Sequence, residues 1–272
     1  MKNEGQLQTT NSLVINADNF RNRGETEKAI QLYRKSIGFY EKLPNQSRQI
    51  ANCMQMIGVC HKIENRTEDA IQWLQKASNL YNEINDYIGA GNSLRDIGIT
   101  YLYIKNYEQA LVFLRESEQI LAKTEDKVAY GITISKIGLL YTQIGQFDKA
   151  EEFLKRGLTI IRSVGNWFME MTTLLHLAEL AYQQQNYQKI LSYTNQSLEI
   201  INNNNQQEKQ QRRLAQIHGL LALGYLNLGD KQAALQHYQK VAPLIAHLTT
   251  EGKNVVLADI RADQLEKQFQ TN

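Results

Sequence analysis

Residues 86–125 read DYIGAGNSLRDIGITYLYIKNYEQALVFLRESEQILAKTE, and residues 126–165 read DKVAYGITISKIGLLYTQIGQFDKAEEFLKRGLTIIRSVG. Laid one over the other, they place Leu94 on Ile134, Ile97-Gly98 on Ile137-Gly138, Tyr101 on Tyr141 and Tyr107 on Phe147. Ala110 falls on Ala150, Leu114 on Leu154 and Ser117 on Gly157. The small residue returns outward from this core: Gly58 lies 40 positions before Gly98, Ala17 lies 41 before Gly58, Ala178 follows Gly138 by 40 and Ala222 follows by 44. Twelve residues after each stand Ala29, Ala70, Ala110, Ala150, Ile190 and Ala234. Self-similarity at this period predicts a solenoid, in which each unit buries its apolar face only against its neighbours.

Within a unit the apolar residues recur at spacings of three and four, the signature of a helix with one buried face. A short turn (Lys105-Asn106-Tyr107, Gly145-Gln146-Phe147, Gln185-Asn186-Tyr187, Gly229-Asp230-Lys231) then leads into a second helix. Glycine inside a helix costs about 1 kcal/mol against alanine, so Gly58, Gly98 and Gly138 imply that the partner helix approaches too closely for a side chain. Asn45, Asp86, Asp126 and Asn166 recur ahead of each first helix and are expected as N-caps, because Asn and Asp oxygens accept from unpaired N–H groups there. First helices are therefore predicted at 46–63, 87–104, 127–144 and 167–185. Second helices are predicted at 66–84, 106–123, 146–163 and 187–202.

Charge is balanced, with 30 basic against 28 acidic residues, unlike the basic excess of a phosphate-neutralising surface; nucleic acid is not an expected partner. Two prolines suit an almost wholly helical chain. The polar start MKNEGQLQTT reads as neither signal peptide nor anchor, and no run approaches the ~20 apolar residues of a membrane span. Cys53 and Cys60 are seven apart on one predicted helix, too far for a disulfide within it, and free thiols suit the cytoplasm. The five histidines are scattered without metal-ligand spacing. His61 occupies the position of Tyr101 and Tyr141 and reads as a packing residue. No metal, cofactor or catalytic set is expected.

With these residues in place, the chain resembles the tetratricopeptide repeat family. Leu94, Ile97-Gly98, Tyr101, Asn106-Tyr107, Ala110, Leu114 and Ser117 fall where that family's motif puts them, and residues 134–157 match again. The units are longer than the usual 34 residues, similar to arrays in bacterial regulatory and signalling proteins. The fold class implied is all-α: a right-handed α-solenoid of six helix–turn–helix repeats with a C-terminal capping helix. The expected divisions are a frayed 1–9, then repeats at 10–44, 45–85, 86–125, 126–165, 166–205 and 206–249, then a capping helix and tail at 250–272. The cap is predicted at 253–269 from Val255, Ala258, Ala262, Leu265 and Phe269. The polar insertion around Asn202–Asn205 is expected as a loop, and Pro243 is expected to kink or end its helix. The large residues Leu32, Trp73, Phe113, Phe153, Tyr193 and His237 are expected to pack between successive units.

The resemblance implies a groove lined by the first helices on the face away from Gly98. Carried onto this sequence, that face holds Asn11, Asn52, Gln55, Lys62, Asn92, Arg95, Tyr103, Leu139 and Thr142. The asparagines can donate and accept at once, which suits an extended peptide backbone, and Arg95 can meet a carboxylate, although Asp96 or Asp18 compete for it. The lysine and asparagine clamp that some family members use on a C-terminal carboxylate is not reproduced by Val14, Asp18, Asn52, Met56 and Asp96. The expected activity is a non-catalytic scaffold for a protein or peptide segment; the alternative is a signal-responsive regulator working through a separate output partner. A monomer or weak homodimer is expected.

Overall fold

A computed structural model of the chain describes residues 2–248 and 250–270. The described residues form helices joined by short turns: α1 Lys2–Asn22, α2 Thr26–Tyr40, α3 Ser47–Ile63, α4 Thr67–Glu83, α5 Tyr87–Tyr103, α6 Tyr107–Leu121, α7 Lys127–Gln143 and α8 Phe147–Ser163. There follow α9 Trp167–Gln183, α10 Tyr187–Asn203, α11 Gln211–Asn227, α12 Lys231–Gln239, α13 Val241–Ile245, α14 Thr250–Asp259 and α15 Ala262–Gln270. The chain divides into two compact units, 1–140 and 141–272, with the division inside α7.

Each turn is made by local chemistry that repeats. The first-helix caps Asp86, Asp126 and Asn166 accept from the N–H groups of Gly89, Ala129 and Met169 at 3.0, 2.9 and 3.1 Å. Twenty residues on from Asp86 and Asn166, Asn106 and Asn186 cap second helices in the same way, as does Asp230. Asn45 departs from the series. The residue before α3 is Gln46, which makes no side-chain cap bond, and Asn45 instead takes a left-handed φ of 59° in the turn.

The turn inside each pair closes with a backbone bond reaching back five residues: Arg66 to His61, Asn106 to Tyr101, Gln146 to Tyr141, Asn186 to Ala181 and Asp230 to Tyr225. This closure requires a left-handed residue just past the helix. Gly145 supplies it freely, at φ 75°, whereas Lys105 supplies it at φ 60° with a Cβ in the way.

The glycine spacing is explained in the unit 1–140. A Cβ on Gly98 would lie 2.7 Å from Leu114 Cγ and 3.2 Å from the Ala110 carbonyl oxygen. On Gly58 it would lie 2.7 Å from Leu74 Cγ and 3.1 Å from the Ala70 oxygen. The alanine twelve residues on is thus the surface against which the glycine backbone rests. Tyr101 stacks on Phe113 with centroids 5.6 Å apart, Tyr141 meets Phe153 at 5.5 Å and Tyr225 meets His237 at 5.5 Å. These large residues therefore bridge the two helices of their own pair, because the ring from the first helix reaches over the turn. Trp73 does reach the preceding pair, where Arg34 lies over its ring.

Both chain ends differ from the sequence expectation. Residues 2–9 continue α1 rather than fraying. The C-terminal cap is two helices, because Arg261 turns left-handed at φ 54° and breaks the run. The break rotates the buried face: Val256 and Ile260 are buried and Ala258 is exposed, while Ala262 and Leu265 are buried as expected. The Val255 side chain lies outside the described residues. The insertion forms an irregular turn over 204–210, with Asn202 and Asn203 still helical. The last repeat's second helix stops at Gln239, four residues before Pro243, whose missing N–H would have bonded there.

Candidate functional site

The face of α3 and α5 away from the glycines carries a polar network tied across the two helices. The Asp96 carboxylate accepts from Lys62 Nζ at 3.1 Å and from Gln55 Nε2 at 3.0 Å. Both ends of the ion pair are largely enclosed, with 15% and 14% of their side chains exposed. Burial pushes the Asp96 pKa up, but Lys62, Arg95 and the Gln55 hydrogen bond outweigh it and hold it below the usual carboxylate value. Arg95 Nη1 donates to Asn92 Oδ1 at 2.6 Å. Arg95 is half-buried, and burial lowers its pKa against the pull of Asp96 and Asp126.

Beside this network lies an open cavity of about 480 Å³ lined by Arg48, Gln49, Asn52, Gln55, Tyr81, Asp86, Ile88, Gly89 and Asn92. Three amides come from α3 and one from α5. Gln49 Oε1 is buried and has no hydrogen-bond partner, so it can accept from an incoming donor. Arg48 Nε is 2.7 Å from the Asp86 carboxylate, leaving one edge charge-balanced. The Tyr81 hydroxyl is held protonated, its pKa pushed up to about 12 by burial and by Asp86. Its ring closes over Gly89, where a Cβ would lie 2.4 Å from Tyr81 Cδ1.

Of the residues named from the sequence, Asn52, Gln55 and Asn92 line this cavity, and Arg95 and Lys62 adjoin it through Asn92 and Gln55. Asn11 lies apart: it is exposed and its Oδ1 accepts from the Tyr40 hydroxyl at 2.6 Å. Tyr103 projects into solvent, 75% exposed. Leu139 is half-buried and Thr142 is 3% exposed; they fall on opposite sides of the division between units. Arg48, Gln49, Tyr81 and Asp86 were not anticipated as lining residues. The signal that could have found them was the cap register itself, since Asp86 marks where α4 ends and α5 begins.

The other reactive groups are spoken for by packing. Cys53 and Cys60 are free and buried, and burial lifts their pKa values to about 12 and 11, leaving inert thiols. His61 is 4% exposed with no hydrogen bond to either ring nitrogen, although Asp69 Oδ2 lies 3.8 Å from Nδ1; burial, more than any charge, lowers its pKa. Among the described residues no three His, Cys, Asp or Glu side chains gather into a metal-holding group. No described helix is long and apolar enough to cross a membrane.

No curated protein sequence matches the chain. Solved structures share its fold at low sequence identity. A Rap protein complexed with competence and sporulation factor aligns with a TM-score of 0.67 at 13% identity, over 91% of this chain and 75% of that one. The Rap conjugation gene regulator of plasmid pLS20, in complex with the Phr* peptide, gives 0.64 at 13%, over 94% and 77%. PilF of Pseudomonas aeruginosa gives 0.59 at 17%, over 94% and 99%. The tetratricopeptide repeat profile matches residues 8–83, 66–123 and 90–163, more than half of the chain, and with the paired helices and their glycine contacts it establishes that this protein belongs to the tetratricopeptide repeat family.

Proposed function

We propose that the chain is a non-catalytic peptide-binding protein whose α3–α5 face holds an extended segment of a partner. The observation that carries this reading is the cavity with four amide side chains from successive first helices. Peptide backbone offers alternating donors and acceptors, and an amide side chain satisfies either without an ionic requirement. The unpartnered Gln49 oxygen supports an accepted hydrogen bond, and the Asp96–Lys62–Gln55 network gives the face a preformed geometry, which lowers the ordering cost of binding.

Of the two forms this function can take, peptide-responsive regulation is favoured over a passive scaffold. Two of the Rap structures that share the fold are complexes, one with competence and sporulation factor and one with the Phr* peptide. The output belongs to a separate chain in this reading, and the protein works in the cytoplasm as a monomer or weak homodimer, with no role for nucleic acid. The test is a pull-down from the source cell with wild-type protein and an Asn52→Ala/Asn92→Ala variant. Loss of a specific protein or peptide from the variant supports the assignment; equal recovery overturns it.

A further inference from the structure

In the unit 141–272 the C-terminal segment packs against one face of α9 and α11. Counted from the small residue of each first helix, Glu179 and Tyr182 of α9 stand at the positions of Leu139 and Thr142. Gly219 of α11, three before Ala222, stands at the position of Gln55 and Arg95. By register these match groove positions that the family resemblance implies for the earlier repeats.

The C-terminal segment fills all three. Arg261 donates to both oxygens of Glu179, at 2.7 and 3.3 Å. Its guanidinium carbon sits 3.9 Å from the Tyr182 ring centroid. The Tyr182 hydroxyl donates to Gln264 Oε1 at 3.1 Å. Ile260 is fully buried against Gly219, where a Cβ would lie 2.4 Å from Ile260 Cβ. A forked carboxylate contact and a stacked ring together read arginine rather than lysine, and a glycine socket beside them reads a branched apolar side chain. Arg261 holds its pose in the left-handed region, at φ 54°, a conformation that strains a residue with a Cβ. A segment presenting the same pair in relaxed backbone would avoid that strain.

We propose that this face is a recognition site for a partner segment carrying a branched apolar residue followed by arginine, and that Ile260-Arg261 is its resident intramolecular competitor. Tethering gives the resident a high effective concentration, so the site opens only to a partner that outcompetes it. The site is argued from α9, α11 and the C-terminal segment alone, so its test leaves Asn52 and Asn92 untouched.

The experiment uses the full chain and a fluorescent peptide of residues 256–267, VLADIRADQLEK, read by anisotropy. Arg261→Ala in the chain empties the carboxylate and should tighten peptide binding about tenfold over wild type. Arg261→Ala in the peptide, or Glu179→Gln added to the chain, should each remove about tenfold. Equal binding to wild type and to a helical Arg261→Ala chain overturns the proposal, as does a gain that ignores Glu179→Gln. Should Arg261→Ala fail to fold, amide exchange on wild type decides. Excess peptide should accelerate exchange across α14 and α15, and unchanged exchange overturns the proposal. Concentration-dependent dimers of wild type without peptide binding also overturn it, by assigning the site to a second copy of the chain.

Discussion

Two glycines inside helices should respond oppositely to the same added methyl group. Gly38 in α2 has nothing within 4 Å of where its Cβ would be, so Gly38→Ala should bring only the helix-propensity gain, about 0.5–1 kcal/mol. Gly98→Ala brings that gain and also places a carbon 2.7 Å from Leu114 Cγ and 3.2 Å from the Ala110 oxygen. Leu114 is fully buried and cannot swing into solvent, so α5 and α6 must separate or Leu114 must leave its rotamer. Overpacking of this kind costs about 1–3 kcal/mol, which leaves Gly98→Ala net destabilising by about 0.5–2 kcal/mol. The assay is thermal unfolding followed by helical circular dichroism, where 1 kcal/mol shifts a midpoint by about 2–4 °C at this size. A Leu114→Ala background removes the obstructing Cγ, so the penalty of Gly98→Ala should shrink there, and the two changes should couple. If Gly98→Ala raises the midpoint as Gly38→Ala does, the close-approach explanation of the forty-residue glycine is refuted.

Lys105→Gly should stabilise by about 0.5–1 kcal/mol in denaturant melts, because the left-handed turn residue loses its Cβ strain. Lys62→Met should destabilise by about 1–3 kcal/mol by leaving the enclosed Asp96 carboxylate without its cation; urea midpoints of Lys62→Met against Lys62→Arg check this. His218 and His237 meet through Nδ1 atoms 3.0 Å apart. Burial, then His237 and Lys240, lower the His218 pKa from 6.5 to about 4. The unfolded chain therefore binds the proton first as pH falls. The stability this site contributes is complete above pH 6.5 and is lost as pH drops through 4, an extra loss of about 1–2 kcal/mol after screening. A His218→Gln/His237→Gln variant with an unchanged pH profile of stability would count against it.

The elements with short-range causes were readable from the sequence. Asp86, Asp126 and Asn166 fixed first-helix starts because a cap acts within three residues. The same chemistry caps second helices at Asn106, Asn186 and Asp230, where the residues also fit a plain turn and the sequence pattern alone does not separate the two. Asn45 misled because a residue beside a helix start can cap it or make the preceding turn, and only the backbone geometry decides. The break at Arg261 was hidden for a related reason: the apolar spacing runs on through it, and the contact that holds it, Glu179, lies 82 residues away. The candidate site divides in the same way. Register placed Asn52, Gln55 and Asn92 on one face, since register is periodic. Lys62 and Gln55 meeting on Asp96 depends on how two first helices lie side by side, which spans 34 and 41 residues. Tyr81 and Arg48 enter the cavity from element ends, where the repeat period says little about direction.

Whether the α3–α5 face takes an extended peptide is decided by selecting peptides from a random library on the wild-type chain. Their affinities are then measured for wild type and for Asn52→Ala/Asn92→Ala, with amide exchange mapping the contact. Protection should centre on α3 and α5, and the variant should lose about tenfold or more in affinity. Equal affinity for both proteins, with protection confined to other helices, would contradict this placement.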